Sequence, residues 1–484
     1  MKRAMLGVSA VWSACVVLSA STAGGCKADD RIPVLLVTGH NNHNWKYTSR
    51  YHKETLESTG RFRVDIADHP ASVLRDPVVI ANYKVFVLDY NDSHEPKRWG
   101  REAEENFEKA VREGAGVVSV HAANNAFHGW EGYERMIGLM WREGTGHGRF
   151  HDFSVEVTDA EHPITKGLPE ASPTTDELYH RLVNSRNVPY RLLARAMSTT
   201  ESGGTGAHEP MAFTLEYGKG RVFHTPLGHV WWNRDSDKVS VSTPVFKALL
   251  ARGTEWAATG NVTIPATWTD AVDHNALTDE ERDAGWQSLF DGKAAPKFKG
   301  FRQNGWPQKG WTFGGGVIRH EAGGGGGDIV TVDEFGDFEF KCQWRVAPGG
   351  NSGIFLRVSE DLDWTFMSGP EMQVLDNAGH NDGKVKETSA GALYGLYPAR
   401  EDTWRPAGEW NHVLVRAKGP KLEFHLNGFL VVEADTSSDD WKQRIAASKF
   451  KDWPLYGKNA KGRIGLQDHG DLVEYRGLKV RSLK

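Results

Sequence analysis

The residues best equipped for chemistry stand in the segment Gly369-Pro-Glu-Met-Gln-Val-Leu-Asp-Asn377, with His380 just beyond it. In an extended chain Met372 and Val374 point to one side, and Glu371 and Gln373 to the other. Arg463-Ile-Gly-Leu-Gln-Asp-His469 repeats the pattern, with Ile464 and Leu466 on one face and Gly465, Gln467 and His469 on the other. Asn351-Ser-Gly-Ile-Phe-Leu-Arg357 sets Ile354 and Leu356 against Gly353, Phe355 and Arg357. Glycines leave space on this second face, and the remaining groups can hydrogen-bond hydroxyls or stack on sugar rings. The pattern implies the concave, carbohydrate-facing sheet of a β-sandwich. Glu371 is the candidate base or metal ligand, and His469 the second candidate, as base, acid or ligand. Asn351, Arg357, Gln373 and Gln467 would hold the substrate, and His380 would close over it from a loop. A conventional glycosidase needs two facing carboxylates, ~5–5.5 Å or ~6.5–9.5 Å apart. Glu371 and Asp376 would point opposite ways on an unbent strand. A solvated polar face, or a lectin-like sheet that binds without turnover, is the plainer reading of the same residues.

A second set of polar groups follows short apolar runs in the first half. His40, Asn42 and His43 come after Ile32–Thr38, Asp89 after Val85–Leu88, and His121 and Asn124 after Gly116–Val120. Runs of this kind are buried parallel strands. Helical patterns lie between them, over 48–59 and, through Phe107 and Val111, over 101–113. Strand, helix, strand, helix defines an α/β domain, in which ligand crevices open at the carboxyl ends of the strands. These groups should therefore converge, with Glu177 and His208-Glu209 as recruits from later segments. Neutral imidazoles with carboxylates suit divalent zinc or manganese. The spacing is no compact metal signature, and any one of these histidines alone is better read as packed or hydrogen-bonded. No cofactor is demanded; a divalent metal (zinc, manganese or calcium) is the group the set would accept.

From Gly285 onward short strands alternate with turns such as Asn427-Gly428, a hairpin signal. That punctuation implies an all-β sandwich or jelly roll. The expected organisation is a signal over 1–26, an α/β domain over 32–260, a linker over 261–283 and the sandwich over 284–484. Gly323–Gly327 is not a phosphate cradle, since no helix or Lys-Ser/Thr follows it.

The chain of 484 residues carries a net charge of -5, which gives no reason to expect a nucleic-acid partner. Lys2 and Arg3 precede an apolar run and then Ala23-Gly-Gly-Cys26. This reads as a secretory signal of lipoprotein type, with export to the periplasm or outer membrane and membrane contact only through a lipid on Cys26. Ala23 stands where the usual leucine would, so simple cleavage is the alternative. With Cys26 lipidated no disulfide can form, and Cys342 shares a face with Phe338 and Phe340 as a core residue.

Gly39-His-Asn-Asn-His43, Ser119-Val-His-Ala-Ala123, His162-Pro-Ile-Thr-Lys-Gly-Leu168, Asp176-Glu-Leu-Tyr179 and Tyr217-Gly-Lys-Gly-Arg-Val-Phe223 together resemble the trehalose-utilisation (ThuA-like) family. The resemblance implies a fold similar to class I glutamine amidotransferases. Their nucleophilic cysteine has no counterpart here, because His121 follows the strand. The second half resembles the 3-keto-disaccharide hydrolase family, through Leu289-Phe-Asp-Gly292, Asn351-Ser-Gly-Ile354, Gly369–Val374, Trp410-Asn411, Leu426-Asn-Gly428 and Gly465–Gly470. That family implies a concanavalin-like sandwich acting on glycosides oxidised at carbon 3. A 3-ketone acidifies the proton on carbon 2, so one base and one oxyanion stabiliser suffice for elimination at carbon 1, and water then adds. No nicotinamide fingerprint is present, so a separate sugar 3-dehydrogenase would make the ketone. The rival expectation is a cell-surface carbohydrate-binding protein with a non-catalytic sandwich.

Overall fold

In the computed structural model, the residues described are 30–267, 272–294, 296–400 and 403–483. The signal and lipid-anchor reading lies outside them. No helix among them is long and apolar enough to cross a membrane.

β1 (Ile32–Val37) reads IPVLLV and is almost wholly buried. A strand covered by helices on both faces needs no polar side, and its sequence shows none. It leads through α1 (Trp45–Glu57) to β2 (Phe62–Ala67), then to β3 (Val85–Leu88), α2 (Arg101–Glu113) and β4 (Gly116–Val120). The helix expected from residue 48 starts at Trp45, because the Asn44 side chain accepts from Tyr47 N–H and caps it. β5 (His151–Val157), β6 (Ala171–Asp176), β7 (Arg191–Ser198), β8 (Ala207–Tyr217) and β9 (Gly220–Thr225) complete a sheet of order β2-β1-β3-β4-β9-β8-β7-β5-β6. The first five strands in that order are parallel, and the rest extend the sheet antiparallel. α3 (Pro244–Thr259) packs across β4 and β9.

The second half is an antiparallel sandwich. One sheet joins β10 (Gln287–Ser288), β12 (Trp311–Gly314), β13 (Val317–His320), β15 (Phe338–Val346), β18 (Asn411–Lys418), β19 (Lys421–Leu426), β20 (Phe429–Asp435) and β22 (Val473–Ser482). The other, five-stranded, runs β11 (Phe298–Gly300), β14 (Ile329–Thr331), β21 (Arg463–Leu466), β16 (Asn351–Val358) and β17 (Glu371–Leu375). Ile354, Leu356, Met372, Val374, Ile464 and Leu466 face Phe340, Trp344, Val415 and Phe424 across one core, and Cys342 is buried there too. Residues 392–394 make only isolated bridges, Leu393 to Met372 and to Tyr397. Part of the expected linker belongs to the sandwich: the Asn275 side chain accepts from Gly477 N–H and donates to Gly316 O, and Glu281 pairs with Lys341 and Lys479.

The two halves form one compact unit from Ile32 to Lys484. α1 carries the seam. Its Tyr51 hydroxyl donates to Glu409 (2.8 Å), which also accepts from Lys247 (3.1 Å). Glu54 of α1 is paired with Arg405 and lies 3.1 Å from His412. Lys238 donates to Trp404 O at 3.0 Å and sits over that indole.

Two candidate active sites

The outer face of the five-stranded sheet carries the first site. Register sets Glu371 opposite Phe355 and Gln373 opposite Gly353. Because Met372 and Val374 are held in the core, Glu371 and Gln373 must face outward. A Cβ at residue 353 would stand 2.2 Å from Glu371 Oε1, so only glycine leaves room for the carboxyl. Glu371 is 7% exposed, and burial pushes its carboxyl up from 4.5 to about 8. The charge of Lys449 opposes that rise, while Asp328 and Asp382 reinforce it. Around it are buried polar atoms without a hydrogen-bond partner: both amide atoms of Gln373, Gln467 Oε1, Asn351 Oδ1 and the Tyr456 hydroxyl. Each such group costs ~1–3 kcal/mol unless a ligand or water meets it. Asn351 Nδ2 lies 3.5 Å from His469 Nε2, and the His469 ring stands 6.3 Å from that of His380. His380 Nδ1 accepts from Asp382 N–H, which orients the ring at the edge of the site.

Arg357 does not join this group. Its φ of 52° and the adjoining bulge turn the side chain aside, where it donates to Gly336 O, Gly419 O and Asp337. Asp376 ends its strand as a turn cap, accepting from Gly349 and Ala378 N–H. Sequence reasoning missed Asp328, Tyr456 and Lys449. Burial pushes Asp328 up to about 6, against hydrogen bonds from Thr365 and from Asp468 N–H. The three come from a strand margin, a turn and a short 3-10 helix (Lys449–Asp452), with no alternating pattern to give them away.

The second site lies at strand ends of the α/β sheet. His43 follows β1, His121 follows β4, Glu177 follows β6 and His229 follows β9. One ligand atom from each lies within 4.8 Å of the others. Their second nitrogens are held from outside. His43 Nδ1 donates to Asn41 Oδ1 (3.3 Å), His121 Nδ1 to Pro226 O (2.7 Å), and His229 Nε2 to Asp237 (3.1 Å). This leaves His43 Nε2 and His121 Nε2, 3.3 Å apart, and His229 Nδ1 directed inward. His229 Nδ1 is 3.1 Å from Glu177 Oε2 but off the axis of a hydrogen bond. Outer hydrogen bonds of this kind orient metal-binding imidazoles. Burial, then the neighbouring imidazoles, holds His43 and His121 well below the ordinary histidine range, so both present lone pairs. Burial opposes protonation of His229, but the hydrogen bond to Asp237 and the nearby carboxylate of Glu177 carry it up to about 9. Three imidazoles and a carboxylate are a donor set for zinc or a similar first-row ion. His121 has φ 46°, a strained turn straight after its strand that aims the ring into the site. Tyr179 donates to His121 Nε2 at 2.9 Å, and Trp231, 40% exposed, closes one side against His43 and His229.

Of the other residues expected here, His40 turns to Glu95 O, Asn42 accepts from Asn91, and Asp89 is buried, accepting from Thr48 and Asn41. Asn124 meets His224 at 3.3 Å, and Glu209 accepts from Arg181 N–H. His208 pairs with Glu156 on the antiparallel extension. None of these reaches the four-residue centre.

Fold and sites together define an α/β domain joined to an antiparallel β-sandwich, each with a candidate active site, and the comparisons with known proteins agree with that architecture. The profile of the trehalose utilisation family, ThuA, matches residues 33–257, and that of the 3-keto-alpha-glucoside-1,2-lyase-like domain matches 285–481. The 3-keto-disaccharide hydrolase of Bacteroides thetaiotaomicron is 34% identical over 229 residues, covering 41% of this chain and 79% of that protein. A provisionally named ThuA-like protein of Parabacteroides merdae is 36% identical, with a TM-score of 0.43 over 48% of this chain and 92% of its own. A provisionally named glycosyl hydrolase of Parabacteroides distasonis is 33% identical, with a TM-score of 0.40 over 43% of this chain and 99% of its own. The chain belongs to the 3-keto-disaccharide hydrolase family and, in its first domain, to the ThuA family; it is an enzyme of the hydrolase type.

Proposed function

We propose that the sandwich cleaves glycosides already oxidised at carbon 3, with Glu371 as the base. The observation that carries this reading is a buried carboxyl, pushed up to about 8, set among amides that have no partner. A base works best with a pKa near the working pH, and the amides supply donors and acceptors for sugar hydroxyls and the ketone. Glu371 takes the proton from carbon 2, and the electron pair of that bond is delocalised into the ketone as an enolate. As the pair returns to form the C1=C2 double bond, the C1–O bond breaks and the leaving oxygen takes, through His469, the proton that Glu371 has gained. Water then adds at carbon 1 and a proton at carbon 2, giving net hydrolysis. Lys449 is the cation nearest in effect to Glu371 and counters the charge that develops. A separate sugar 3-dehydrogenase provides the ketone, and the protein is exported as a lipoprotein.

The first domain performs a companion step on the keto sugar, such as hydration or a second cleavage. His43, His121, Glu177 and His229 would hold a divalent ion there, which when bound would polarise a carbonyl or activate water.

The test is release of a chromophore from an aryl 3-keto-β-glucoside and from its unoxidised parent, for the wild type and Glu371→Gln. Turnover of the keto substrate alone, lost in the variant, is expected. Equal cleavage of the parent would mean an ordinary glycosidase. Sugar binding without turnover of either would make the sandwich a binding module.

A further inference from the structure

An aromatic wall runs from the carboxyl of Glu371 to the surface. The buried Tyr456 hydroxyl lies near enough to the carboxyl to feel its charge. Its ring lies 6.0 Å from that of Trp453, Trp453 lies 5.3 Å from Phe366, and Phe366 stacks on Trp364 with planes 7° apart. A second route leads to the same place: Phe355, opposite Glu371 in register, packs against Phe366. Trp364 is 57% exposed, more than any other described tryptophan. The wall is also fixed. Thr365, between Trp364 and Phe366, bonds to Asp328, and Gly457 N–H donates to Ser368 O, tying the two loops that supply the rings. The stacked pair of Trp364 and Phe366 makes an apolar patch instead of a lone exposed side chain, and such patches rimmed by polar groups mark binding grooves.

The polar and apolar parts divide the work. Unpartnered amides surround Glu371, where a ring bearing hydroxyls and a ketone belongs. The wall offers ring faces, suited to a flat group extending outward from that ring. We infer that Trp364, Phe366 and Trp453 form a leaving-group subsite, taking the flat face of an aromatic aglycone or a second pyranose attached at carbon 1. The inference rests on the reading of Glu371 as the base for keto-glycoside cleavage.

The experiment compares the full-length wild type with Trp364→Ala and Trp364→Phe on methyl and phenyl 3-keto-β-glucosides and on a 3-keto disaccharide. With stacking of aromatic groups worth ~0.5–1.5 kcal/mol, Trp364→Ala should lose roughly 2- to 10-fold in kcat/KM, carried by KM. The loss should fall on the phenyl substrate, the disaccharide or both, while the methyl glycoside is unaffected. Loss on the phenyl substrate alone assigns the subsite to aryl groups, and loss on the disaccharide alone to a sugar. Trp364→Phe should recover most of it. Equal loss on the methyl glycoside, or none on any substrate, overturns the subsite. If the wild type turns over no keto glycoside, the functional reading fails, and calorimetry with phenyl β-glucoside and cellobiose still decides the subsite. Weaker binding to Trp364→Ala than to Trp364→Phe would support it, and equal or absent binding would overturn it.

Discussion

Replacing Glu371 by Gln should abolish turnover and at the same time stabilise the sandwich, but only at high pH. Burial raises this carboxyl from 4.5 to about 8 in the folded protein. Between those values the unfolded chain has lost the proton and the folded chain keeps it. The folded state binds more protons there, so stability falls as pH rises through the window and the whole penalty is present above pH 8. At 1.36 kcal/mol per unit the penalty is on the order of 5 kcal/mol. For a domain of this size, ~2–4 °C per kcal/mol makes the expected gain on the order of 10 °C. Calorimetry of wild type and Glu371→Gln at pH 4.5 and pH 9 measures it, and the two should melt alike at pH 4.5. In the wild type kcat/KM for a keto glycoside should climb about tenfold per unit below pH 8 and level off above it. An activity plateau that begins at pH 5, or equal stabilisation of the variant at both pH values, would refute the reasoning.

Gly353→Ala should cut turnover sharply with the fold retained, since the added methyl would stand 2.2 Å from Glu371 Oε1; circular dichroism alongside the keto-glycoside assay checks it. Metal analysis after loading with zinc should find about one ion per chain, lost in His43→Ala. Asp237→Asn should weaken zinc binding roughly 10- to 100-fold through the orientation of His229, measured by competition with a chelator. Arg405→Ala leaves Glu54 at the seam with only His412, and should cost about 1–3 kcal/mol, read as a lowered thermal midpoint.

Alternation with period two was enough to place Glu371, Gln373, Gly353 and Phe355 on one face, because the partners of that face are pinned in the core. Arg357 obeyed the same count on paper, but a bulge with positive φ broke the alternation, and nothing in the local pattern signals it. Asp328, Tyr456 and Lys449 reach the site from a strand margin, a turn and a single 3-10 helix, where period two does not apply and only the closure of the sandwich brings them near. In the α/β domain the strand-end rule led to His43, His121 and Glu177. It led equally to His40 and Asn42, because it names the end of a strand and not the direction of a side chain. His229 stands four residues after β9, closer than His43 stands to β1, but Pro226, Leu227 and Gly228 before it form no polar cluster to draw the rule there. The mixed sheet was hidden for a related reason: β5 and β6 are half exposed and poor in apolar residues, and strand direction depends on how the chain returns.

Helix α1 begins one residue after Asn44 and so two after His43, while one and a half to two and a half turns further on its Tyr51 and Glu54 hold the sandwich. The helix is therefore a lever with a prospective metal ligand at one end and the neighbouring domain at the other. Any free energy that occupancy of the sandwich exerts on α1 must reappear, with equal size, in the affinity of the histidine centre for its own ligand. Removing the seam contacts, with Tyr51→Phe and Arg405→Ala together, would weaken that linkage while leaving both sets of site residues intact.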